Sequence, residues 1–138
     1  MINKALFSSA SAHWSTPLDV YRELNAEFNF NFDPCPLYGL GADGLATHWE
    51  GKRVFCNPPY GRGIGSWLAK HEEPLLCVYL IPARTDTRWW HDHVMKASEI
   101  RFLRGRLKFG GSKNSAPFPS ALAIFQNFNR FSLIRRDE

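Results

Sequence analysis

The chain reads as a compact α/β protein with one mostly parallel sheet that ends in a C-terminal antiparallel hairpin. Three observations predict this. Apolar, strand-like runs alternate with helical stretches through residues 53–103, the order of a layered sheet-and-helix domain. The run from Leu75 to Ile81 is apolar throughout, as a parallel strand covered on both faces requires. The last two strand-like runs, Ile100 to Leu103 and Ala121 to Phe125, have only a Gly/Ser/Pro-rich loop between them, so they pair as the hairpin.

The elements follow in order. Ser15-Thr16-Pro17 opens a helix, with Thr16 suited to the N-cap and Pro17 to the first helical position. Leu18, Tyr21, Leu24 and Phe28 then recur at helical spacing. Asn29 to Phe32 alternates polar and apolar residues and predicts a short strand ending at Asp33-Pro34. Residues 34–52 hold Pro34, Pro36, Gly39, Gly41, Gly44 and Gly51, the composition of a long irregular connection. Arg53 to Cys56 is a strand stopped by Asn57-Pro58-Pro59-Tyr60. Within Ile64 to Glu73 a helix begins near Ser66 and ends before Pro74. Pro82 stops the central strand, and Thr87 to Ala97 forms the next helix, with Trp89 and Trp90 divided between surface and core.

A length of 138 residues predicts a single domain, 1–138, with its core over about residues 14–126. Hydrophobic residues at 44% and charged residues at 22% exclude wholesale disorder. No apolar run approaches the ~20 residues of a membrane span. The polar stretch from Met1 to Ser11 predicts no secretory signal. Cys35, Cys56 and Cys77 lack metal-site spacing and sit in or beside apolar runs. They read as reduced, buried thiols of a cytoplasmic protein. His91 and His93 fall on different faces of a helix, so no metal pair is predicted.

Charge is uneven. The first 50 residues hold two basic side chains against six acidic ones, whereas residues 84–113 hold eight basic against three acidic. That distribution suits a polyanion such as nucleic acid, or a solvated face with no partner. Aromatic residues at 14% add ring surface for stacking.

In a parallel sheet the loops after the strands build the site. Here those loops begin at Asp33, Asn57 and Pro82. Asn57-Pro58-Pro59-Tyr60 carries the sharpest chemistry. Two prolines fix φ and remove two backbone donors. The Asn57 side-chain oxygen and the Pro58 carbonyl can then accept from one exocyclic amino group, while Tyr60 offers a ring face to a flat base. Arg104, Arg106 and Lys108 alternate on a strand-like segment, which places three cations on one face for phosphate. Gly61 to Gly65 lacks the spacing of a phosphate-binding loop and reads as a segment that closes over the target.

The four-residue motif resembles the Asn/Asp-Pro-Pro-Tyr of amino-methyltransferases that use S-adenosylmethionine. Over about residues 14–126 the chain resembles the phage-type DNA N6-adenine methyltransferases. The matching pieces keep their order: Trp14 to Pro17, Phe32 to Cys35, Asp43 to Leu45 followed by Trp49, Asn57 to Gly61, Pro82 to Thr87 and Arg104 to Phe109. The resemblance implies a trimmed, Rossmann-like class I methyltransferase sheet. It implies direct, in-line methyl transfer from S-adenosylmethionine to N6 of a flipped-out adenine in double-stranded DNA. Asn57, Pro58 and Tyr60 become the catalytic residues. Trp14, Thr16, Pro17, Asp33, Pro34 and Asp43 become the cofactor residues. Pro59, Arg84, Asp86, Arg104, Arg106, Lys108 and Phe109 face the DNA, with Phe109 covering the second face of the adenine. The resemblance also implies a bacteriophage or prophage protein in the host cytoplasm.

One departure stands out: Gly39 and Gly41 come six and eight residues after Asp33, where the family pattern has glycines four and six residues after such an acid. The chain also shows about five strands where such sheets usually have seven, which implies a trimmed cofactor pocket and no appended specificity domain. Simpler roles compete. Thr16 can serve as an N-cap, Asp33 as an Asx turn, Arg84 and Asp86 as a mutual pair or a helix cap, and Phe109 as core. At the level of function, the motif also serves RNA bases and protein glutamine, and a DNA-binding protein without activity could keep the fold. The oligomeric state is open.

Overall fold

A computed structural model describes residues 14–36 and 43–129. The Met1–Ser11 stretch and the glycines Gly39 and Gly41 lie outside the described residues. The elements are α1 (Leu18–Phe28), β1 (Arg53–Cys56), α2 (Ile64–Leu68), β2 (Leu76–Pro82), α3 (Arg88–Asp92), a 3-10 turn (Val94–Lys96), β3 (Glu99–Phe102) and β4 (Ser120–Gln126). No helix among the described residues is long and apolar enough to cross a membrane.

The sheet is open and mixed, in the order β1-β2-β4-β3. β1 runs parallel to β2, β4 runs antiparallel to β2, and β3 runs antiparallel to β4. Strands β1, β2 and β3 therefore point one way, and β4 alone is reversed. The β3–β4 pairing is the antiparallel hairpin of the sequence reading. The insertion of β4 between β2 and β3 is not part of that reading.

Four local expectations need correction. The strand at Asn29 to Phe32 reduces to a single parallel bridge, Phe32 to Val54. The backbone still bonds to β1 there, Asn31 N–H to the Arg53 carbonyl at 2.9 Å and Phe55 N–H to the Phe32 carbonyl at 3.1 Å. Asn25 Oδ1 accepts from the Phe30 amide and Asn31 Oδ1 from the Arg53 amide, each at 2.8 Å. Asn29, at φ 54°, takes the left-handed turn that ends α1. At the other end of α1, Pro17 rather than Thr16 holds the cap position, with no side-chain cap bond. Helix α2 starts at Ile64 and ends at Leu68, with turns carrying the chain on towards Pro74. The Thr87 to Ala97 helix breaks at His93 into α3 and the 3-10 turn.

β2 is buried along all seven residues, as a central strand must be. Its alternate side chains feed two layers. On one face the Tyr21 ring of α1 meets Phe55 edge-on, with centroids 5.2 Å apart. On the other, Tyr79 packs against Trp49 and Phe125, and its hydroxyl donates to the Trp67 carbonyl at 2.7 Å. Each such large side chain contributes about 1.5–3 kcal/mol by leaving water.

The irregular connection before β1 is pinned from below. Trp49 is fully buried, and its indole N–H donates to the Gly44 carbonyl at 2.9 Å. Lys70 donates to the carbonyls of Leu45 and Thr47 and sits over the Trp49 ring. Gly44 must be glycine: a Cβ there would lie 1.9 Å from the Pro34 carbonyl oxygen.

Candidate active site

The Asn-Pro-Pro-Tyr turn leaves the carboxyl end of β1 and stands between two cavities. The larger, about 570 Å³, is walled by Trp14, Tyr60, Trp89 and Phe118, with Arg62 and Arg84 among its lining. The smaller, about 260 Å³, is lined by Ser15, Thr16, Asp33, Cys35, Phe55 and Asn57, among others. Asn57 opens on the smaller cavity and Tyr60 on the larger, and the Tyr60 hydroxyl donates to Asn57 Oδ1 at 2.7 Å. The same hydroxyl also lies 3.1 Å from the Leu80 carbonyl. Burial pushes the Tyr60 pKa well up, so the group stays a neutral donor.

The smaller cavity brings together residues distant in sequence. Asp33 is half-buried, and its Oδ1 accepts from the Cys35 amide at 2.9 Å, which is the Asx turn. Burial raises the Asp33 pKa to about 6, against the pull of that hydrogen bond. Such a carboxylate gains most from a cationic partner. Burial, and then the Asp33 charge, pushes the Cys35 thiol up to about 12. The wall is closed by Thr16, whose hydroxyl accepts from Asn57 Nδ2 at 3.1 Å.

An aromatic cluster forms the other wall. Trp14 lies 5.4 Å from both Phe109 and Phe118, and Tyr60 meets Phe118 edge-on at 5.7 Å. Phe109 is only 2% exposed and does not line the larger cavity, so its expected place on the second face of a base is corrected. The ring that lines the cavity from that loop is Phe118. It is also the ring beneath the Arg84 guanidinium, at 5.7 Å. Trp14, expected beside the cofactor, places its ring in the larger cavity.

The remaining candidates divide. Pro17 and Pro58 are buried and Pro59 is half-buried, and none of the three lines either cavity. Pro34 is buried beneath Gly44. Asp43 is exposed, accepts from the Leu45 amide at 2.9 Å and lines neither cavity. Asp86 is exposed and forms no ion pair with Arg84; the cap of α3 is Thr87, whose side chain accepts from the Trp90 amide at 3.2 Å. Arg104, Arg106 and Lys108 lie in an irregular loop rather than a strand, because Gly105 turns the chain at φ 74°. All three are exposed and outside the ion pairs of the described residues. The half-buried Leu107 and buried Phe109 alternate with Arg106 and Lys108, so these two cations share the solvent side.

Sequence reasoning missed Arg62, Trp89 and Phe118. A ring between two prolines, Pro117-Phe118-Pro119, in a polar loop was the available signal for Phe118. Arg62 and Trp89 carry no signal of their own.

A family model described as DNA N-6-adenine-methyltransferase (Dam) matches residues 5–134. No curated protein and no solved structure matches the chain. The match runs unbroken across both cavities and the turn between them, and on it the chain belongs to the DNA N-6-adenine-methyltransferase (Dam) family.

Proposed function

We propose that the protein transfers a methyl group from S-adenosylmethionine to N6 of an adenine flipped out of double-stranded DNA. The observation that carries this reading is the Asn57–Tyr60 hydrogen bond between two cavities of different chemistry. One cavity offers a carboxylate and hydroxyls; the other offers aromatic walls and arginines. A methyl donor and a base need those two environments on either side of one acceptor.

The smaller cavity fits the methionine end of S-adenosylmethionine. Asp33 suits an ammonium, Ser15 and Thr16 suit a carboxylate, and the rings of Tyr21 and Phe55 lie on the same wall for a sulfonium. When bound, that cofactor supplies an electrophilic methyl group that needs alignment more than a strong base. Cys35 lines the same cavity and is held as a thiol, so it does not compete as a thiolate nucleophile.

The base occupies the larger cavity beside Tyr60 and Phe118, where stacking is worth about 1–3 kcal/mol per base. Asn57 Oδ1 accepts from the adenine amino group and aims its lone pair. An amide oxygen takes no proton at neutral pH, so Asn57 orients the amino group without acting as a base. As the N–C bond forms, the S–CH3 bond breaks to leave a neutral thioether, and the proton lost from the methylated nitrogen passes to water. Arg62, Arg84, Arg104, Arg106 and Lys108 hold the DNA phosphates. A trimmed Rossmann-like class I fold belongs to the same reading, supported by the parallel β1–β2 pair and by the reversed β4 between β2 and β3.

The test is labelled S-adenosylmethionine with three acceptors: duplex DNA, RNA of the same sequence, and a glutamine peptide. Label in DNA as N6-methyladenine is the expected result. Label in RNA or peptide alone, or in none from folded protein, contradicts the reading.

A further inference from the structure

The Asn57 amide is held from behind. Its Nδ2 donates to the Trp14 carbonyl and to Thr16 Oγ1, at 3.1 Å for the latter. The residue is 4% exposed. A primary amide has two N–H donors and one oxygen with two lone pairs. Both donors are spent on the 14–16 segment, and one lone pair accepts from Tyr60. One lone pair is left over.

We propose that the Trp14–Thr16 segment is the positioning arm of Asn57, with Thr16 as its side chain. It fixes the amide so that the spare oxygen lone pair, and not the NH2, meets the incoming amino group. The inference rests on the methyl-transfer reading above. The arm is itself anchored: the Gly110 amide donates to the Ser15 carbonyl at 2.9 Å, and Ser15 Oγ donates back to the Gly110 carbonyl at 3.0 Å. A Cβ on Gly110 would come within 2.7 Å of that Oγ, so the two strips of chain are in close contact. Thr16 uses its oxygen on Asn57, which leaves its own hydrogen for a ligand in the smaller cavity it lines. One hydroxyl thus joins the cofactor cavity to the acceptor amide.

The arrangement also requires a donor at position 57. An aspartate there would set a carboxylate oxygen against the Trp14 carbonyl oxygen, and would reverse the Thr16 contact by drawing the Thr16 hydrogen to itself. The carbonyl has no hydrogen to offer. Asn57→Asp is therefore expected to lose turnover, although it keeps an acceptor oxygen.

The experiment uses the full chain with S-adenosylmethionine and a duplex oligonucleotide. Thr16→Val is expected to lower kcat about tenfold by leaving a buried donor unpaired, with KM for DNA changed less than about twofold. Thr16→Ser is expected to recover most of the loss. A second readout needs no turnover: the Asn57 side-chain amide protons, followed by NMR, exchange slowly in the unmodified chain, and one accelerates in Thr16→Val. Unchanged kcat and unchanged exchange in Thr16→Val overturn the proposal. So does a loss confined to KM for S-adenosylmethionine, which would make Thr16 a cofactor contact alone. If the unmodified chain transfers no methyl group, the functional reading fails by itself, and the exchange measurement still decides the role of Thr16.

Discussion

The Tyr60 hydroxyl donates to the Asn57 side-chain oxygen at 2.7 Å across the wall between the two cavities. Two residues of one turn therefore line two different cavities and hold each other in place. The prolines between them stiffen that relationship, because φ is fixed at both positions.

In the proposed reading Asn57 acts on the amino group, while Asp33, Ser15 and Thr16 of the same cavity take the cofactor's polar end. Asn57→Ala is therefore expected to cut single-turnover methyl transfer by about a hundredfold or more. Calorimetry with S-adenosylmethionine is expected to show little change in affinity. Turnover equal to that of the unmodified chain would remove Asn57 from the mechanism.

Asp33 gives a pH signature. Its carboxyl is raised from 3.8 to about 6 by burial, so the folded chain favours the protonated acid. Its contribution to fold stability is full below 3.8 and is lost as pH rises through about 6. A cationic ligand prefers the ionised form. Affinity for S-adenosylmethionine is thus expected to fall about tenfold per pH unit below about 6 and to level off above it. Asp33→Asn is expected to bind weakly and without that slope. Calorimetry between pH 5 and 8 checks both.

The loop cations give a salt signature. Each phosphate contact contributes about 0.9 to the slope of log affinity against log salt. Replacing Arg104, Arg106 and Lys108 by alanine, one at a time, is expected to flatten the slope stepwise in fluorescence anisotropy with duplex DNA. Identical slopes in all three variants would remove these side chains from the DNA surface.

Gly44 tests the floor of the site. A Cβ there meets the Pro34 carbonyl oxygen at 1.9 Å, and backbone does not yield as a flexible side chain does. Gly44→Ala is expected to cost about 1–3 kcal/mol, read as a lower urea midpoint. Because Pro34 follows Asp33, weaker binding of S-adenosylmethionine is expected with it.

Much of this was legible in the chain itself. Leu76 to Ile81 reads as a buried strand because every side chain there meets protein on one face or the other, and Leu75 lies just outside it. Asn57 to Tyr60 reads as a site because the turn's chemistry is local. The rest depends on partners far apart in sequence. Thr16 looks like an N-cap until its hydroxyl is seen accepting from Asn57. Asn29 to Phe32 looks like a strand, but Asn29 is spent on the helix cap and Asn25 and Asn31 take the Phe30 and Arg53 amides, so pairing with β1 stops at the one bridge at Phe32. Phe109 and Phe118 sit in one loop, and only packing decides which is core and which lines the cavity. The insertion of β4 between β2 and β3 is a matter of register, and no local pattern carries it.

The most direct measurement is nucleoside mass spectrometry of plasmid DNA free of N6-methyladenine, treated with the protein and S-adenosylmethionine. The account predicts N6-methyladenine with the unmodified chain and none above background with Asn57→Ala. No N6-methyladenine from the folded, unmodified chain, or equal amounts from the two proteins, would contradict it.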